Sequence, residues 1–281
     1  MGHLADSIRK KKRSRMSWSQ SMLIFHSWAV YLFLYLPIAV LIIYSFNKAR
    51  ISAVWDGFTV NWYREMLTDA SMLSALKNSL IVGLASTIIS TIIGTLTALS
   101  MSRYKFLGKR AFDSILYMPL IIPDIVMGIS LLTFYVFIRF TLGLASIVVA
   151  HVAFNISYVA VVVRARLHGY DRTLDEAAMD LGASPVQTFM RVTLPLILPG
   201  VIGGALIAFT MSFDDYLITS FVVGVGSTTL PIKVYSMMKF GVTPEVNALS
   251  TLILLFTTIL LLASQRLGKE KNNENNKARI Y

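Results

Sequence analysis

Three aspartates stand where a carboxylate is hardest to accommodate. Asp124, Asp214 and Asp215 fall inside stretches otherwise dominated by Ile, Leu, Val, Phe and Met, and ionisable groups in such stretches are retained where they face a partner or a water-filled path. One reading is a route for a cation, each carboxylate favourable enough to enter and weak enough to leave. The other is structural: Asp124 would satisfy helix ends at a kink set by Pro119 and Pro123, and Asp214 or Asp215 would cap a helix end or pair with Lys233. Neighbouring residues diverge by about 100° on a helix, so only one of the adjacent pair is expected to face a path. His151, Asn155 and Tyr158 recur at i, i+4 and i+7, a polar stripe suited to hydrogen bonding between helices or to substrate contact.

Other chemistries are missing their residues. There is no G-x-x-x-x-G-K-[ST] segment, hence no loop of that kind to cradle nucleotide phosphates. Neither His-Glu-x-x-His nor Gly-x-Ser-x-Gly occurs, and His3, His26, His151 and His168 do not cluster in sequence. With no cysteine, disulfides, thiolate metal sites and a cysteine nucleophile are excluded. No catalytic residue, no metal site and no enzymatic activity is expected.

The segment 164–197 has a different texture. Thr173 with Glu176, and Ser184 with Gln187, each have the spacing of a capping box, with Pro185 at a first helical position and Gly182 where a C-terminal cap belongs. This predicts two short helices meeting at Gly182. Leu174, Ala177, Ala178 and Leu181 form one apolar stripe, and Asp175 and Asp180 point away from it. Outward acidic charges would be repelled by anionic lipid, which favours a protein groove over the membrane surface as the docking partner of that stripe.

These residues need elements to hold them, and composition says which kind. The chain has 281 residues, 55% hydrophobic and 15% charged, with a formal charge of +11; soluble domains carry roughly 25% charged residues. A bilayer core about 30 Å thick takes roughly 20 apolar residues of helix, and six stretches satisfy this, at 28–46, 80–101, 115–138, 144–163, 198–220 and 248–264. The basic run from Arg9 to Arg15 precedes the first stretch without a cleavage site and reads as a retained signal anchor. Of 26 Lys and Arg, 19 lie in the segments that are cytoplasmic if the N-terminus is, as the positive-inside rule demands. Nucleic acid is not needed to explain the charge. The expectation is an all-α integral membrane protein with six transmembrane helices and both termini cytoplasmic: a basic arm at 1–27, a transmembrane domain at 28–264 and a polar tail at 265–281.

Glu176-Ala177-Ala178, then Gly182 after three residues and Val192-Thr193-Leu194-Pro195 after nine more, resemble the motif E-A-A-x3-G-x9-I-x-L-P of binding-protein-dependent ABC-transporter permeases, with Val192 in place of Ile. Pro37 with Tyr44-Ser45-Phe46-Asn47, Trp62-Tyr63, Ser102-Arg103-Tyr104, Pro123-Asp124, Phe209 through Asp215, and the run 235–247 are similar to the C-type spermidine/putrescine branch of that family. The resemblance implies a MetI-like ABC importer permease fold in the bacterial inner membrane. It also implies a loop whose Leu174, Glu176, Ala177, Ala178, Leu181, Gly182, Leu194 and Pro195 couple to an ATPase.

The implied partners are a second permease subunit in a heterodimer, two ABC ATPase subunits, and an extracytoplasmic polyamine-binding protein meeting the outer loops at 48–77 and 222–247. Membrane lipid and the polyamine itself complete the set. ATP would be used by the ATPase subunits, with no cofactor bound by this chain, and Asp124, Asp214, Asp215, Asn155 and Tyr158 would line the substrate pathway. Alternatives are an ABC permease for another solute, a proton-coupled secondary transporter using the intramembrane acids as a relay, and a non-transporting scaffold.

Overall fold

The computed structural model describes residues 18–49, 54–239, 241 and 243–259. The chain opens with α1 (Trp18–Tyr44), a long apolar helix none of whose side chains is buried. After an isolated antiparallel bridge between Asn47 and Phe58 come α2 (Asn61–Thr68) and α3 (Ala70–Arg103). Asp69 caps α3 by accepting the Ser71 backbone N–H at 2.7 Å. The Ser71 hydroxyl, then its N–H, hold that carboxyl below its ordinary value. α4 (Lys109–Tyr117) runs into a 3-10 turn at Met118–Leu120, and α5 (Asp124–Phe137) and α6 (Leu144–Leu167) follow.

Next come α7 (Thr173–Asp180), α8 (Pro185–Thr188), a π-turn at Phe189–Thr193 and α9 (Leu194–Asp214). The short α10 (Leu217–Val222) and α11 (Leu230–Met238) lead to α12 (Pro244–Ile259).

Helices α3, α6 and α9 form the packed centre. One buried cluster joins Ala98, Val159, Ala160, Val163, Ile197 and Ala208. Another, towards the other end, joins Val82, Ile147, Ala150, Phe154, Ile218 and Val222. Lipid tails are as apolar as Leu, so such helices associate through close packing of small residues and through hydrogen bonds. Gly94 shows the first device: a Cβ there would sit 2.8 Å from the Val159 Cβ. The second is a buried chain in which Ser212 Oγ meets Ser86 Oγ at 2.9 Å and His151 Nδ1 at 2.6 Å.

Among the described residues, four helices are long and apolar enough to cross a membrane, and a fifth span exists if the pair 109–120 and 124–137, bent by 109°, is counted as one. Four expectations are corrected in detail. The stretch 115–138 is a broken element, because Pro123 offers no N–H and takes extended backbone (φ −57, ψ 136). The fifth stretch does not reach residue 220: α9 stops at Asp214, Asp215 is extended, and α10 turns back against α5 and α6. The second helix of the loop is not short, since α8, the π-turn and α9 run on as one apolar 30-residue element, Pro185–Asp214. The sixth stretch starts earlier, at Pro244, and its part beyond residue 259, like the tail and the arm before Trp18, lies outside the described residues.

Candidate functional site

Two regions carry the expected residues, one at each end of the α3–α6–α9 core. At the first, α7 hangs below the core. Its end is fixed by Gly182, which adopts φ +89. The Gly182 N–H donates to the Met179 carbonyl at 2.9 Å and the Ala183 N–H to the Ala178 carbonyl at 3.1 Å, the paired bonds that close a helix through a left-handed residue. The Ser184 cap forms as expected: Ser184 Oγ accepts from the Gln187 N–H at 3.3 Å, and Gln187 Oε1 accepts from the Ser184 N–H at 2.9 Å.

The Thr173 cap does not form. Asp171 Oδ1 takes the Thr173 N–H at 3.0 Å and its hydroxyl at 2.9 Å, so Thr173 is the first residue of the helix rather than its cap, and these bonds hold the Asp171 carboxyl below its ordinary value.

The orientation of α7 inverts the usual amphipathic arrangement, in which the apolar stripe faces its own core. Leu174 is 46% and Leu181 90% exposed, Glu176 and Ala177 are exposed and Ala178 is half-buried. The buried residue is Asp175, so the expectation that this acid points outward is wrong. Its Oδ2 receives Arg103 Nη2 at 2.5 Å, and its Oδ1 receives the Thr193 hydroxyl at 2.8 Å and the Tyr170 hydroxyl at 2.6 Å. Burial, then the bond to Asp175, pushes the Tyr170 hydroxyl up to about 12, so it remains a donor at neutral pH.

Leu194 and Pro195 lie apart from this surface, at the foot of α9, where Leu194 packs on the core. Spacing alone missed Asp175, Arg103, Thr193 and Tyr170. The available signal was a carboxylate beside an apolar stripe and an arginine closing an apolar span.

At the other end lie the acids. Asp215 accepts the Thr219 N–H at 2.7 Å, the Thr219 hydroxyl at 2.6 Å and the Ile218 N–H at 3.3 Å, and lies 3.3 Å from His151 Nε2. It precedes α10 and accepts from the first turn of that helix. Asp214 is exposed and borders an open hollow of about 500 Å³ shared with Tyr216, Tyr235, Val234 and Met238. The Tyr216 and Tyr235 rings there are 4.3 Å apart. Lys233 does not pair with either acid; its Nζ donates to Ser71 Oγ at 2.8 Å.

Asp124 is the exposed first residue of α5, within electrostatic reach of Tyr158. The expected stripe divides: His151 bonds Ser212 and Thr219, Asn155 is fully buried with its amide unpartnered among the described residues, and Tyr158 is half-buried. Among the described residues no group of three or more metal-ligating side chains occurs.

Residues 90–269 match the family described as binding-protein-dependent transport system inner membrane component. The chain belongs to that family. Its relatives include the spermidine/putrescine transport system permease protein PotC of Escherichia coli strain K12, 41% identical over 247 residues, spanning 88% of this chain and 94% of that protein. The putrescine transport system permease protein PotI of the same strain is 44% identical over 229 residues, 79% of this chain and 82% of that one.

Solved structures share the family fold. A chain of a bacterial ABC transporter involved in import of the acidic polysaccharide alginate superposes with TM-score 0.73 at 15% identity, covering 95% of this chain and 99% of that one. A chain of the MetNI methionine ABC transporter in an inward-facing conformation gives 0.55 at 21% identity, covering 72% and 99%.

Proposed function

We propose that this chain is the permease subunit of an ATP-driven importer of polyamines. It forms half of a translocation pathway with a second permease, served by two ATPase subunits and an extracytoplasmic binding protein, and works by alternating access. The observation that carries this is the 41% identity to a spermidine/putrescine permease over 88% of the chain. The exposed Leu174 and Leu181 on α7 support the ATPase half of the reading, since exposed apolar surface marks sites that meet a partner. In this reading six spans cross the bacterial inner membrane with both termini cytoplasmic. Leu174, Glu176, Ala177, Ala178, Leu181 and Gly182 meet the ATPase, Leu194 and Pro195 transmit at the foot of α9, and Asp124, Tyr158 and Asp214 face the path while Asp215 and Asn155 pack behind it.

The test is uptake of labelled spermidine and putrescine by the reconstituted complex. Uptake should require ATP and the ATPase subunits, and unlabelled polyamine should compete. Uptake by this subunit alone that collapses with the proton gradient would replace the proposal with a secondary transporter.

A further inference from the structure

We propose that Asp175 is a positioning residue for coupling, the point through which movement of α7 reaches all three core helices. The inference rests on the reading of α7 as the ATPase-docking helix. Asp175 is 6% exposed on an eight-residue helix that buries nothing else. Its partners come from three different places: Arg103 ends α3, Tyr170 follows α6, and Thr193 closes the π-turn at the foot of α9. Arg103 Nη2 also donates to Thr193 Oγ1 at 2.9 Å, which closes the cluster on itself. A second tie runs from Arg172 to the Ser102 carbonyl at the end of α3.

The chemistry of the anchor matters. Buried ion pairs contribute little net stability compared with well-packed apolar groups, and their best-attested use is to fix register. An apolar plug would let α7 slide over the core while holding it close. A carboxylate with both oxygens engaged fixes α7 in direction as well as distance, so displacement of α7 displaces the ends of α3 and α9 with it. The π-turn beside Thr193 places the anchor at an irregular stretch of helix, of the kind that frequently marks functional sites.

The test uses the assembled complex of both permeases, the ATPase and the binding protein, and reads polyamine uptake per ATP hydrolysed. Asp175→Asn should leave ATPase association within about twofold and reduce that ratio about tenfold, the scale on which network residues modulate coupling. The Arg103→Gln/Asp175→Asn double variant should be no worse than Asp175→Asn alone. Leu181→Asp, on the outer face, should abolish ATPase association; if it does not, the docking reading fails, whatever Asp175 does. A wild-type ratio in Asp175→Asn, or loss of association in step with uptake, overturns the positioning role. If Asp175→Asn does not accumulate, Tyr170→Phe and Thr193→Val decide the matter: each should lower the ratio at normal protein level, and an unchanged ratio in both overturns the proposal.

Discussion

Asp214 and Asp215 are adjacent and identical in type, yet their surroundings give them different work. Asp215 closes the turn after α9: its Oδ2 takes the Thr219 N–H and hydroxyl with His151 Nε2 beside the same oxygen, and its Oδ1 takes the Ile218 N–H. A carboxylate held this way is committed to the fold. Asp214 is exposed beside the Tyr216 and Tyr235 rings, which are tilted by 33° to one another, a combination of charge and aromatic faces that suits an amine. The two Asn substitutions should therefore separate. Asp214→Asn should lower polyamine uptake by roughly tenfold, the worth of about 1.5 kcal/mol for one charge-assisted hydrogen bond, with the thermal midpoint of the detergent-solubilised protein unchanged. Asp215→Asn should lower that midpoint, because it weakens bonds to buried donors costing on the order of 2 kcal/mol. Equal effects of both on the midpoint would remove Asp214 from the path.

At the scale of elements, close approach decides how the core holds together. Gly94 admits Val159 to a distance no side chain on α3 would allow. Gly94→Ala should lower the thermal midpoint through overpacking of about 1–3 kcal/mol. Val159→Ala in the same chain should restore part of the loss, a coupling that a thermal-shift double-mutant cycle reads directly. Much at this scale was legible in the sequence: the apolar runs located α3, α6 and most of α9, and Gly182 and Ser184 marked the turn after α7.

What escaped has physical causes. Hydropathy is blind to direction, so the kink expected from Pro119 and Pro123 came without its size, a 109° bend between two apolar halves, and α9 and α10 merged into one stretch across Asp215. Thr173 with Glu176 has the spacing of a cap, but Asp171 lies two residues upstream and reaches the same N–H. Periodicity found the stripe on α7 without saying which way it faces. In the structure the stripe is exposed and the fold's own anchor is on the polar side, where Asp175 is buried.

At the scale of the whole molecule, the sequence concentrates the +11 charge in the segments expected to be cytoplasmic. The segments expected to be cytoplasmic hold 19 basic and 8 acidic residues, and the remainder of the chain holds 7 of each. Arg103 and Arg172 gather around α7, and Arg164 ties the end of α6 to Asp113 on α4. Lys and Arg near span ends favour the cytoplasmic face, so the end that carries α7 should face the ATPase compartment, and the opposite end, electrically balanced and bearing Asp214, should face the side from which a polycation arrives. The absence of cysteine makes this simple to test with single introduced cysteines and a membrane-impermeant maleimide. Asn61→Cys, at the exposed start of α2, should label in intact cells, and Val186→Cys, 70% exposed just after Gly182, should not. In inverted membrane vesicles the pattern should reverse. Labelling of Val186→Cys from outside intact cells would place α7 on the face opposite the ATPase and end the coupling reading, because no docking surface can act on a partner across the bilayer.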